Sequence, residues 1–171
     1  MKKILIWYIL LVGYINGAGP DPMFGENGMV VSTSRQASIA GIEILKKGGN
    51  AVDAACATGF VLAVTSSSNG NVGGGGFMVV HKADSTIFTL DYREIAPAAA
   101  HQDMFLDSNS EVIDNMSLRT RAASGVPGSV DGLLKAWKDH GSGNISRREL
   151  LASAIALAER GFELSHYEAK R

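Results

Sequence analysis

A chain of 171 residues with 46% apolar and 19% charged residues is long enough to close a core and too apolar for a disordered or fibrous protein. Sixteen basic and seventeen acidic residues leave a net charge of −1, with no block of like charge. That balance excludes an electrostatic grip on nucleic acid or on an anionic membrane surface.

The first residues read as a secretory signal over 1–18. Lys2 and Lys3 supply a positive start, Ile4 to Ile15 an uncharged apolar run, and Asn16-Gly17-Ala18-Gly19 small residues for a peptidase. The apolar run is shorter than the roughly 20 residues a membrane span needs, so no stable span is expected. The cleaved bond is not fixed. Ala18 as last residue leaves Asn16, which is not small, two positions earlier, and Gly19 as last residue puts Pro20 after the bond. Export to a periplasm or to the outside follows. Residues 19–27, rich in Gly, Pro and Asp, read as a linker, and 28–171 as the body of the chain.

Within that body, Met29 to Ser32 reads as a short extended segment. Ser34 caps a helix from Arg35 to Lys47 whose inner face is Ala37, Ala40, Gly41 and Ile44. Gly48 and Gly49 stop it. Asn50 caps the next helix, with Asp53 completing a capping box. Ala51 to Val64 is apolar nearly all round, which predicts a helix buried on every side. Cys56, the only cysteine, lies within it. No internal disulfide is possible, and a buried, inert thiol is expected.

Thr65 to Gly76, with four consecutive glycines at its end, is a loop by composition. Phe77 to His81 and Thr86 to Arg93 read as two strands around the turn Lys82 to Ser85. By the period of two, Ile87, Thr89, Asp91 and Arg93 share one face. Ala96 to Ser124 is irregular. Pro127 opens a helix striped by Val130, Leu133, Leu134 and Trp137 and ended by Gly141. Ser146 and Glu149 form a capping box for another, striped by Leu151, Ala154, Ile155 and Ala158 and ended by Gly161. Tyr167 to Arg171 is a charged, helix-prone run.

Two features invite a chemical reading. The glycine run lies between helix and strand, so it is neither a P-loop nor a dinucleotide fingerprint. It either points amides at an anion or lets main chain cross main chain. Arg93 ends a largely covered strand and must have a partner, since an unpaired buried charge is too costly. That partner is either Asp91 or Glu94, or a substrate carboxylate gripped by the guanidinium fork. Other residues carry less. His81, His101, His140 and His166 lack metal-ligand spacing. Asp103 and Asp107 suit a turn, and Thr120, between Arg119 and Arg121, reads as surface.

Several blocks in series are familiar: Gly48-Gly49-Asn50-Ala51-Val52-Asp53-Ala54-Ala55, Gly73-Gly74-Gly75-Gly76-Phe77, Asp91-Tyr92-Arg93-Glu94 with Ala96-Pro97, and Val126-Pro127-Gly128. Together, in order and spacing, they resemble the gamma-glutamyltranspeptidase family from about Gly28 to Ser165. The resemblance implies an α+β fold, the four-layer αββα sandwich of N-terminal-nucleophile hydrolases, present here only as its N-terminal portion. It implies a precursor that cuts itself to free a threonine nucleophile with its own amine as base. The implied reaction moves the gamma-glutamyl group of glutathione or related amides to water or an amino acid through an acyl-enzyme. No cofactor or metal is implied. Arg93 matches the family arginine that holds the alpha-carboxylate of that group.

The resemblance also implies what these residues lack. The nucleophile, its partner hydroxyls and the oxyanion glycines belong to a later part and a small subunit. No catalytic residue is assigned here, and the piece alone is expected to be inactive, with open sheet edges. Ser66-Ser67-Ser68 stands where the family often has a proline. Two other readings remain. One is an acylase of the same fold acting on another amide, such as a glutaryl side chain. The other is a non-enzymatic exported domain that binds small acidic ligands.

Overall fold

The first helix, α1 (Arg35–Lys46), starts where the sequence places it. Ser34 is extended, and its side chain accepts from the Ala37 amide. Ala37, Ala40, Gly41 and Ile44 are buried, the face expected. Gly48 ends the turn at φ +87°, a backbone that favours glycine. These features belong to a computed structural model that describes residues 22–66, 68–164, 166 and 168–170. The signal over 1–18, the start of the linker, Ser67, and Tyr167 and Arg171 lie outside the described residues.

Helix α2 (Ala51–Thr65) opens on the predicted capping box. Asn50 Oδ1 accepts from the amides of Val52 and Asp53, and Asp53 Oδ2 accepts from the Asn50 amide at 2.9 Å. The two helices approach closely at Gly41, where an added Cβ would meet Thr58 Oγ1 at 2.5 Å. Thr58 Oγ1 bridges them by donating to the carbonyls of Ala54 and Ala37 at 2.7 and 3.3 Å. The expectation that this helix is buried on every side needs correction. Val52, Cys56, Ala57, Phe60 and Val61 are core, but Ala51 and Ala55 are exposed. Small side chains at Ala51, Ala55 and Gly59 do not fill the space below the hairpin. A cleft of about 720 Å³ remains there, lined also by Leu62, Met78 and Leu133.

Strands β1 (Phe77–His81) and β2 (Ile87–Asp91) form an antiparallel hairpin in the register Phe77↔Asp91 to His81↔Ile87. The expected turn joins them, with Ser85 at φ 65°. Met78, Val80, Phe88 and Leu90 face the helices and are half-buried, while Phe77, Val79 and Ile87 lie exposed on the other face.

The irregular stretch after Ile95 is closed by an Ile95↔Val126 bridge and contains a second bridge, Leu106↔Val112, and a short helix, α3 (Met116–Arg119). Helix α4 (Ser129–His140) starts two residues later than Pro127. Its inward face is Ser129, Gly132, Leu133 and Ala136, whereas Val130 is 41% exposed. The predicted stripe is thus rotated toward small residues, because the ring of Tyr92 rests on Gly132 and leaves no room for a larger one. Helix α5 (Arg147–Arg160) begins with the Ser146–Glu149 capping box and buries Leu150 and Ala154. Ile155 and Ala158, placed inside by the pattern, are exposed. Asp53 Oδ2 accepts from the Ser142 amide and Trp137 Nε1 donates to the Ile145 carbonyl, which ties the α4–α5 connection to the core. Among the described residues no helix is long and apolar enough to cross a membrane.

Candidate substrate-carboxylate site

Arg93 sits just beyond β2, at the point where the hairpin meets the glycine loop. Past Asp91 the chain takes one more paired step: the Tyr92 amide donates to the Gly76 carbonyl at 2.9 Å, and the Gly76 amide to the Tyr92 carbonyl at 3.3 Å. The Arg93 amide then donates to Asp91 Oδ1 at 2.9 Å, which turns the chain out of the ladder.

Of the two readings of the glycine run, the structure displays the crossing of main chain over main chain. A Cβ on Gly75 would lie 2.6 Å from both Arg93 Cα and the Tyr92 carbonyl oxygen. The Gly74 carbonyl accepts from the amides of Gly128 and Ser129 at 2.8 and 3.0 Å, so the start of α4 is pinned to the same loop. A Cβ on Gly128 would fall on the Tyr92 carbonyl oxygen and 2.9 Å from that of Arg93. Only residues without side chains permit these approaches.

The Arg93 side chain is 53% exposed, which corrects the expectation of a largely covered strand. The outer face of the hairpin carries no layer over it among the described residues, so Arg93 needs no buried partner. It has an exposed one. Nε donates to both oxygens of Glu94 at 3.2 and 3.3 Å, and Nη2 donates to Oε1 at 2.5 Å. The guanidinium carbon also lies 5.8 Å from the centre of the Phe77 ring. The hydrogen bond and charge of Glu94 hold the guanidinium above its usual range, and Arg93 holds the Glu94 carboxyl below its own. Asp91 serves the Arg93 backbone instead. Among the described residues Nη1 makes no hydrogen bond, so the far edge of the fork can take a second carboxylate while Glu94 keeps the near one.

Elsewhere the structure leaves little chemistry. Cys56 is fully buried, its thiol donates to the Leu133 carbonyl, and burial pushes its pKa up to about 12. Thr120 Oγ1 donates to the Met116 carbonyl at 2.6 Å. His140 stacks on Phe88 at 3.9 Å between ring centres. Asp107 Oδ1 accepts from the amides of Asn109 and Glu111, the turn role expected. Among the described residues no group of three or more His, Cys, Asp or Glu is placed to hold a metal. Sequence reasoning missed the reach of Asp53 to Ser142, because nothing local to either residue announces the other. It also missed Gly125, Gly128 and Gly132 as partners of the Tyr92–Glu94 turn, although glycine at 128 and 132 beside a helix start is a visible oddity.

Residues 37–171 match the family model described as gamma-glutamyltranspeptidase. The chain is 45% identical over 150 residues to the glutathione hydrolase proenzyme of Pseudomonas sp. (strain A14), covering 88% of this chain and 26% of that proenzyme. It therefore spans about a quarter of that relative's length. The crystal structure of Helicobacter pylori gamma-glutamyltranspeptidase superposes with a TM-score of 0.82 at 41% identity, over 87% of this chain and 42% of that one. Cephalosporin acylase from Bacillus halodurans superposes with a TM-score of 0.70 at 26% identity, over 90% of this chain and 29% of that one. The fold is α+β, of the N-terminal-nucleophile hydrolase class, and the described residues hold a part of it: helices α1, α2, α4 and α5 on one side of one hairpin.

Proposed function

The chain belongs to the gamma-glutamyltranspeptidase family, and from that premise we propose that the whole protein transfers the gamma-glutamyl group of glutathione and related amides. The acceptor is water or an amino acid, and the group passes through an acyl-enzyme. In this reading Arg93 holds the alpha-carboxylate of the gamma-glutamyl group. The nucleophile and the oxyanion donors come from a part of the protein outside these residues, in a small subunit released by self-cleavage. The protein is exported by its 1–18 signal, takes its substrate as a small molecule, and needs no cofactor.

One observation carries the reading of Arg93. It is an arginine fixed in backbone by its neighbours, half open to solvent, with one edge of its fork free. A guanidinium so placed offers a carboxylate two parallel charge-assisted bonds. Arg93→Ala in the whole protein is expected to raise KM for gamma-glutamyl donors by roughly tenfold to a hundredfold, while self-cleavage proceeds. An unchanged KM would remove Arg93 from the site.

A second reading is supported by the likeness to cephalosporin acylase. A glutaryl side chain carries the same terminal carboxylate, so Arg93 suits it equally. Donors with and without the alpha-amine separate the two. A gamma-glutamyl transferase loses most of its rate on a glutaryl amide, and an acylase of the second kind does not.

A further inference from the structure

The turn that carries Arg93 is enclosed by glycines from two separate stretches of chain. Gly75 lies against Arg93 Cα and the Tyr92 carbonyl. Gly128 lies against the carbonyls of Tyr92 and Arg93, and Gly132 lies against the Tyr92 side chain, with Cδ2 2.7 Å from where a Cβ would stand. Gly76 closes on the tip of the Tyr92 ring, and Gly125 on the Glu94 side chain at 3.2 Å. None of these five has a positive φ. Their backbones suit any residue, so space is what demands glycine.

We propose that Gly75, Gly128 and Gly132 are positioning residues that seat the Tyr92–Arg93–Glu94 turn and thereby aim the Arg93 guanidinium at its substrate carboxylate. The inference rests on the reading of Arg93 given above and extends it to residues that touch no substrate. The mechanism is steric. An added methyl at Gly75 or Gly128 meets main chain, which cannot rotate away as a side chain would. The Tyr92 carbonyl must move, and with it the Cα of Arg93. A shift of under 1 Å there misplaces a long side chain whose value lies in a two-point grip. The Arg93–Glu94 pair lies within this same turn, so it moves with it and does not hold the guanidinium in place.

The test is a double-mutant cycle in the whole protein, read in KM and kcat for a gamma-glutamyl donor. Gly128→Ala is expected to raise KM about tenfold and Gly75→Ala nearly as much, with kcat changed less than threefold. Placed in an Arg93→Ala background, neither is expected to change KM further, because the group it misplaces is gone. Gly125→Ala, which meets mainly the Glu94 side chain, is the mild member that keeps the fold and raises KM by about twofold. Gly73→Ala, which meets only Asn71 Oδ1 at 3.3 Å, is the loop control. If Gly128→Ala does not fold, Gly75→Ala and Gly125→Ala still decide. Effects that add fully to Arg93→Ala, or that fall on kcat alone, overturn the positioning role while leaving Arg93 in the site. If Arg93→Ala itself leaves KM unchanged, the reading of Arg93 fails first and the cradle with it.

Discussion

Among the aspartates that accept from backbone amides, Asp53 and Asp91 stand in opposite settings. Asp53 is fully buried, and its Oδ2 accepts from the amides of Asn50 and Ser142. Asp91 is exposed, and its Oδ1 accepts from the Arg93 amide alone. Around Asp53 the helices α1, α2, α4 and α5 share one core, with Asn50 Nδ2 also donating to the His140 carbonyl. Around Asp91 there is a two-stranded hairpin with one open face, and what fixes the turn is the absence of side chains at Gly75, Gly128 and Gly132. The packed core lies in the first region, and the proposed substrate grip of Arg93 in the second. A change in one should therefore leave the other's readout alone.

The largest effect expected is on the buried side. Asp53→Ala strips the acceptor from the Asn50 and Ser142 amides at once, removing half of the α2 capping box and the tie to the α4–α5 connection. Losing half of the box and stranding two half-buried donors costs about 2–3 kcal/mol together. Denaturant unfolding of the whole protein should show a lower midpoint, while KM for the donor stays as it was. A KM that rises in step with the loss of stability would erase the division between the two regions. Arg93→Ala is the reverse case, expected to move KM with no measurable shift of the midpoint, since its pair with Glu94 is exposed.

How much of this could be read beforehand follows the same division. Ser34, Asn50 with Asp53, Ser146 with Glu149, and the glycines at 48 and 161 are local signals, each set by residues within one turn, and the structure has them all. Helix faces were legible where side-chain size and burial agree, as in α1. In α4 they were legible in part: Leu133 is buried and Leu134 and Trp137 pack on the core as predicted, but Val130 is exposed, and Gly132 and Ala136 share the inward face because Tyr92, 40 residues earlier in the chain, occupies the space. A hydrophobic stripe reports what prefers to be buried, not which gap a distant ring leaves. The exposure of Arg93 differs from the expectation for a related reason: the strand pattern is that of a covered sheet, but among the described residues one face of this hairpin is covered and the other is not.

Cys56 tests the depth of the buried region. It lies one turn along α2 from Asp53, and burial, then the nearby Asp53 charge, raise its pKa from 9.0 to about 12. A thiol raised in the folded state contributes its full stability below its unfolded value. That contribution is lost as pH rises from about 9 toward 12. Roughly 1 kcal/mol should be gone by pH 10, and a Cys56→Ser variant should lack that alkaline slope. A thiolate-seeking reagent at pH 8 should label Cys56 only after denaturant is added. Labelling of the folded protein at the rate of a free thiol would mean that α2 opens locally, and that the core is less closed than its packing implies.

The smallest effect belongs to α5, furthest in connection from Arg93. Ser146 Oγ accepts from the Glu149 amide at 3.3 Å and donates to Glu149 Oε2 at 2.7 Å, and Oε2 also accepts from the Ser146 amide at 3.0 Å. The Ser146 hydroxyl and amide hold the Glu149 carboxyl below the usual carboxylate range. Ser146→Ala removes half of the box and should cost about 0.5–1 kcal/mol. The depressed carboxyl contributes above its ordinary value and loses that contribution as pH falls through the depressed one, so the variant should be less sensitive to acid as well as less stable at neutral pH. Urea midpoints at pH 7 and pH 3.5 measure both. A cost that is the same at the two pH values would mean that the Ser146 hydroxyl acts on the helix amide only, and that Glu149 draws its shift from its bond to the Ser146 backbone.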